Sequence, residues 1–495
     1  MIRQARLWLA CLAGAAVLLG GCAKAPLASV PRAERAAIAA RLSADIETLA
    51  SDEFGGRQPG TPGGRLSVDY LTQRFGEVGL QSGTNDPGNP WRAPVRLTRF
   101  RADQSKIELV VEGRTVTLDP LEGIAVTTRK RELIAEGELV FVGYEAQMPI
   151  ESVMGKVVLM LADESLNPER RILFEAKRAS AVIVVPDVEN AIEGAFVLRV
   201  RQEAGRERVA LTGEIDEAFA VVASTQAMAR AFGKARWDAL RGAAREADFT
   251  PIALDAFVNI EATSERRDFT SYNVLGRLPG TKPDAQAVLL MAHWDHLGEC
   301  APLSAQDRIC NGAVDNASGI ASVLELTRRL VKTGPYERDI YVLATSAEEL
   351  GLLGAKAFAA NPPIPLDSLV AAFNFDSVAI APAGSPIGFI GEGRTPLDPL
   401  VLQTVLETGR DLGNRDFAER FIERQDAWVL LQKGVPAIKL SSSFASPITS
   451  QPYFENHYHK PSDESDMIEL GGAIDDLLLH EVLVQRLAIW AGTRP

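Results

Sequence analysis

The sequence predicts an α/β protein: a mostly parallel mixed sheet flanked by helices, with an inserted smaller β-rich α/β domain. Two observations predict it. From residue 273 onward, continuous apolar runs at 287–291, 340–344, 369–375 and 436–440 alternate with segments of helical spacing, the rhythm of parallel strands covered on both faces. Between about 98 and 255 the pattern changes to short apolar strands broken by turns, so a second compact region interrupts the first. The 495 residues exceed one ordinary core, which makes two domains the natural division. A hydrophobic content of 46% with 24% charged residues is that of a globular chain. The net charge of −13 excludes nucleic acid as a partner, because phosphate binding needs a basic surface.

Taken in order, residues 1–21 read as a signal peptide: Arg3 and Arg6 lead an apolar stretch at 7–19, too short to span a bilayer. Leu19-Gly20-Gly21-Cys22 looks like the lipobox of bacterial lipoproteins. That likeness implies an exported protein whose Cys22 carries the lipid anchor, with Ala23 favouring the outer membrane. Residues 22–32 form the tether. A helix follows over 33–50, with Ile38, Leu42, Ile46 and Leu49 on one face. Phe54-Gly55-Gly56-Arg57 is a turn, with Arg57 read as a packing residue, and a second helix covers 67–78.

The main domain so begun occupies 33–97 and resumes at 256–495; residues 98–255 are the insert. Within the insert, 157–161 and 181–185 suit buried strands and 172–179 a helix. Gly155-Lys156-Val157-Val158-Leu159 and Ala181-Val182-Ile183-Val184-Val185 resemble a protease-associated domain, a module that borders an active site or binds a partner. Helices are expected at 320–331, 354–360, 400–412 and 468–490. Of the four cysteines, Cys11 leaves with the leader and Cys22 is lipidated. An exported chain then pairs Cys300 with Cys310, a thiolate metal site being the competing idea.

Four of the five histidines fall in two short motifs, His293-Trp294-Asp295-His296 and His457-Tyr458-His459, with Asp315, Glu348-Glu349 and Asp376 between them. His293, Glu348-Glu349 and Asp376 each follow an apolar run, and ligands of open α/β sheets gather at the carboxyl edge. Neutral imidazoles with carboxylates form a metal-binding set that suits zinc.

Ala292-His293-Trp294-Asp295-His296-Leu297-Gly298, Asn311-Gly312-Ala313-Val314-Asp315-Asn316-Ala317-Ser318-Gly319, Ser346-Ala347-Glu348-Glu349-Leu350-Gly351 and Tyr458-His459-Lys460-Pro461-Ser462-Asp463 together resemble the di-zinc aminopeptidase family. Bacterial leucyl aminopeptidases, aminopeptidase Y and glutamate carboxypeptidase II belong to it. The resemblance covers roughly 40–95 and 260–495 and implies a zinc exopeptidase-like fold with two Zn2+ per chain. By that resemblance His293 and Asp376 hold one zinc, Glu349 and His459 the other, and Asp315 bridges both, often with a cis bond after it. Asp295 would fix the tautomer of His293. Glu348 would be the general base, taking a proton from the attacking water and returning it to the leaving amine.

Peptides are the implied substrates. A carboxypeptidase or dipeptidase, a glutaminyl cyclase and a non-catalytic binding lipoprotein are the alternatives on the same scaffold. The family's oxyanion-stabilising tyrosine has no counterpart in residues 421–427, where Ala427 replaces a histidine, so Tyr453 or Tyr458 is left for that task. His296 and His457 read as structural, His480 as part of a helix face, and Asp463 and Glu464 as opening the last helix.

Overall fold

The computed structural model describes residues 30–144, 153–162, 178–187, 195–215, 219–282 and 286–489. The leader, Cys22 and most of the helix expected at 172–179 lie outside the described residues. Two compact units emerge: Met1–Trp91, Val274–Thr345 and Pro362–Pro495 form one, Arg92–Asn273 and Ser346–Asn361 the other. The sequence pattern placed the insert at 98–255. The unit is wider because the long strands Arg92–Val111 and Ile252–Leu278 run past both of those boundaries.

In the first unit four parallel strands lie in the order Ala437–Ser441, Leu369–Asn374, Ala287–His293 and Ile340–Thr345. Each is buried at every position, as a strand covered on both faces must be. Antiparallel neighbours finish the sheet: Gly388–Ile390 on one side, and residues 274–278 of Ile252–Leu278 on the other. All four strands expected from the sequence are present, and the fold is a mixed α/β sheet, mostly parallel and flanked by helices.

The helix Arg32–Leu49 buries Ile38, Leu42, Ile46 and Leu49, the stripe its spacing predicts. It packs on Ser318–Thr333, which in turn packs on Leu470–Ala488. Arg41 crosses the first of these contacts with two hydrogen bonds of 2.8 Å to the buried Glu325. The second helix begins at Pro62, five residues earlier than its spacing suggests. Thr61 caps it by accepting from Gly64 N at 3.2 Å, and Gly63, in the first turn, is there for space. A Cβ on Gly63 would lie 1.8 Å from the carbonyl oxygen of Phe54.

The second unit has its own core. Arg131–Gly143, Val157–Ala162, Ala181–Pro186 and Phe219–Ala223 run parallel in that order. Phe141, Leu159, Ile183, Val221 and the fully buried Trp237 pack together beside them. Ala347 and Leu353 of the segment Ser346–Asn361 pack with Val95, Leu97 and Leu211. Among the described residues no helix is long and apolar enough to cross a membrane.

Candidate metal centre

His293 is the last residue of its strand, in register with Thr345 on one side, and Asp376 lies two residues past the neighbouring strand end at Asn374. Asp315 comes from the loop that returns toward the helix Ser318–Thr333. These side chains meet. His293 Nε2 is 3.3 Å from Asp315 Oδ1 and 3.7 Å from Asp376 Oδ1, and all three residues are buried. The second oxygen of the same aspartate, Oδ2, is 3.3 Å from His459 Nε2. One carboxylate is thus divided between two imidazoles.

The other nitrogen of His293, Nδ1, is 3.1 Å from the main-chain carbonyl of Asp295. Residue 295 thus reaches the ring through its main-chain carbonyl. A carbonyl only accepts, so Nδ1 carries the hydrogen and a neutral ring turns an unprotonated Nε2 toward two carboxylates. Lone pairs converging in this way call for a proton or a metal cation between them. Ring nitrogen and carboxylate oxygens of His293, Asp315 and Asp376 all lie within 4.8 Å of one another. This donor set fits zinc in type and spacing.

Asp315 is held by residues whose part the sequence did not disclose. Asp463 accepts hydrogen bonds from Val314 N at 2.9 Å and Asp315 N at 3.1 Å, and a third from the hydroxyl of Tyr453 at 2.9 Å. It braces the Asp315 loop instead of opening the last helix, which is capped by Glu469. Asn316 joins Asp315 to the Asp376 segment: its Nδ2 donates to Phe375 O at 2.9 Å and its Oδ1 accepts from Ser377 N at 3.2 Å. The bond between Asp315 and Asn316 is cis.

Arg57 is buried and donates to the carbonyls of Leu49, Trp294, Asn311 and Gly312, so it ties both ends of the loop that joins His293 to Asp315. Cys300 and Cys310 close the same loop in a disulfide with Cα atoms 5.8 Å apart. Gly56 has to be a glycine here, with φ +64° and the carbonyl of Cys310 2.5 Å from where a Cβ would stand.

Burial alone would raise the pKa of Asp315, but the His293 and His459 imidazoles beside it hold it well below the usual range. Asp376 feels the same burial and is nonetheless held down to about 2 by the Lys439 ammonium and His293. Asp426 is buried with the Thr345 hydroxyl as its partner, and burial pushes it up to about 6. A buried lysine inside the strand Ala437–Ser441 and an aspartate beside an apolar helix are readable as anomalies in the sequence. Their partners are not.

Glu348 and Glu349 come three and four residues after the end of the strand Ile340–Thr345 and are half-buried in the second unit's segment Ser346–Asn361. The carbonyl of Glu348 accepts from Gly351 N at 2.9 Å and Leu352 N at 2.8 Å, which folds the segment into a turn. His296 is buried, its ring 5.6 Å from that of His459. His457 bonds the carbonyl of Ser462 at 2.8 Å. His480 lies in the core against Phe373 and Phe375. The Tyr453 hydroxyl is committed to Asp463, whereas Tyr458 stacks on His459 at 3.8 Å with Arg424 3.3 Å from its hydroxyl.

A sheet edge carrying this candidate ligand set is that of a metallopeptidase, a hydrolase. Residues 273–476 match Peptidase family M28. The Probable lipoprotein aminopeptidase LpqL of Mycobacterium tuberculosis (strain ATCC 25618 / H37Rv) is 25% identical over 426 residues, 80% of this chain and 73% of the relative. Aminopeptidase YwaD of Bacillus subtilis (strain 168) is 35% identical over 102 residues, 20% of each chain. Among solved structures, the aminopeptidase from Aneurinibacillus sp. strain AM-1 shares the fold with a TM-score of 0.50. That match is at 18% identity over 90% of this chain and 93% of that one.

Proposed function

We propose that the chain is an exported, zinc-dependent aminopeptidase that removes amino-terminal residues from peptides with the help of two metal ions. The observation that carries this reading is the divided carboxylate of Asp315, 3.3 Å from each of two imidazoles. In this reading His293 and Asp376 would hold one zinc, His459 and Glu349 the other, and Asp315 both. Support for Glu349 comes from register: Thr345 pairs with His293, and Glu349 follows Thr345 by four residues. When bound, a pair of cations lowers the pKa of a shared water and polarises the scissile carbonyl.

Glu348 accepts the proton of the attacking water and hands it to the leaving amine. Its neighbour Glu349 would hold metal instead, so adjacent carboxylates take different tasks. Asp295 keeps His293 in the tautomer that offers Nε2. Tyr458, stacked on His459, is the tyrosine left to face the developing oxyanion. The acidic surroundings suit a free, positively charged amino terminus. The likeness to LpqL supports a lipid anchor at Cys22, and we read 98–255 as a protease-associated-like insert.

Matched peptides with free and acetylated amino termini test the activity: the free ones are cleaved, one residue at a time. Cleavage of the acetylated peptide alone would sink the aminopeptidase reading. Glu348→Gln keeps its zinc and loses turnover by about a thousandfold. Near-native turnover in that variant rules out Glu348 as the base.

A further inference from the structure

Lys439 has no task in the chemistry just proposed, and it touches the centre directly. It stands in the middle of the strand Ala437–Ser441, where every position is buried, and is itself 2% exposed. Its Nζ donates to Asp376 Oδ2 at 2.9 Å and lies 3.9 Å from the centre of the Phe444 ring. The other oxygen, Oδ1, accepts from Ser377 Oγ at 2.9 Å and faces His293 Nε2 at 3.7 Å. The lysine therefore occupies one of the two oxygens of a metal-ligand candidate and leaves the other turned toward the imidazole.

A buried ammonium does two things at such a place. It offsets the repulsion between Asp315 and Asp376, which lie against the same ring of His293. It also opposes any cation that arrives there, and at a few ångströms in a dry interior that opposition is strong. Three carboxylates would face two divalent ions, and Lys439 cancels the charge of one.

We propose that Lys439 is a resident cation of the metal centre. It holds Asp376 in position while no metal is bound, and it makes the His293–Asp376 position the weaker of the two, filled last. This rests on the two-metal reading above. Lys439 is a positioning residue, acting through Asp376 and not on substrate.

Zinc binding tests it without recourse to turnover. The full chain is stripped with a chelator and titrated with zinc against a chromophoric competitor, and bound zinc is counted by mass spectrometry. The wild type should show two classes of zinc differing in affinity by about a hundredfold. In Lys439→Met the weaker class should tighten by about tenfold or more. Stripped Lys439→Met should also melt below the stripped wild type, with zinc-loaded forms converging.

Lys439→Gln keeps a hydrogen-bond donor without the charge and must behave like Lys439→Met. If Lys439→Met cannot be recovered folded, Lys439→Gln carries the same comparison. Zinc isotherms unchanged in the variants overturn the role of Lys439 while leaving the two-metal reading intact. A wild type that binds no zinc overturns the reading beneath it.

Discussion

At Arg57 one guanidinium serves four main-chain carbonyls, those of Leu49, Trp294, Asn311 and Gly312. Its neighbours in sequence give no hint of this, because carbonyl partners leave no residue-type signature. That is why the sequence reads it as packing. Arg57→Met would strand these acceptors in the interior and should destabilise the chain by about 3 kcal/mol or more. Chemical denaturation measures the loss, and zinc affinity should fall with it as the Asp315 loop loosens. A change below about 1 kcal/mol would mean the carbonyls find other donors and the clamp has no force. Asp463 and Lys439 escaped the sequence for a related reason: each acts on a residue more than sixty positions away.

Elements were more legible than single partners. Runs of continuous apolar residues gave all four parallel strands, and the acids and histidines placed just after them put His293 and Asp376 at one edge. The second helix begins at Pro62, ahead of the apolar spacing that marks it from 67, because Gly63 and Gly64 carry no side chain into that pattern and are needed for closeness to Phe54 and Gln58.

The last helix, Leu470–Ala488, carries a pH-sensitive element of its own. His480 is packed on Phe373 and Phe375, its Nδ1 2.7 Å from the carbonyl of Asp476, and burial lowers its pKa from 6.5 to about 4. Between those two values the unfolded chain binds the proton and the folded chain does not. Stability therefore rises with pH across that window and is lost as pH falls through it, by about 3 kcal/mol in all. Urea unfolding at about pH 4.5 and 7 should show this slope in the wild type and a flatter one in His480→Leu. Equal slopes would assign the pH dependence to other groups.

For the whole molecule the frame around the centre is built without metal: Asp463, Asn316 and Arg57 hold the Asp315 loop through bonds inside the protein. Chelation should leave the far-UV circular dichroism unchanged and lower the melting temperature. Zinc at about a thousand times its Kd restores about 4 kcal/mol per ion. Loss of secondary structure on chelation would show that the ions, not this frame, hold the loops together.

The Cys300–Cys310 crosslink spans the excursion between His293 and Asp315, which ties metal competence to the redox history of a sample. Synthesis in a reducing cytoplasm, or a thiol added in storage, opens that excursion, and the same thiol draws zinc away. Batches prepared with and without reductant are in effect different reagents, and their titration curves should not be pooled.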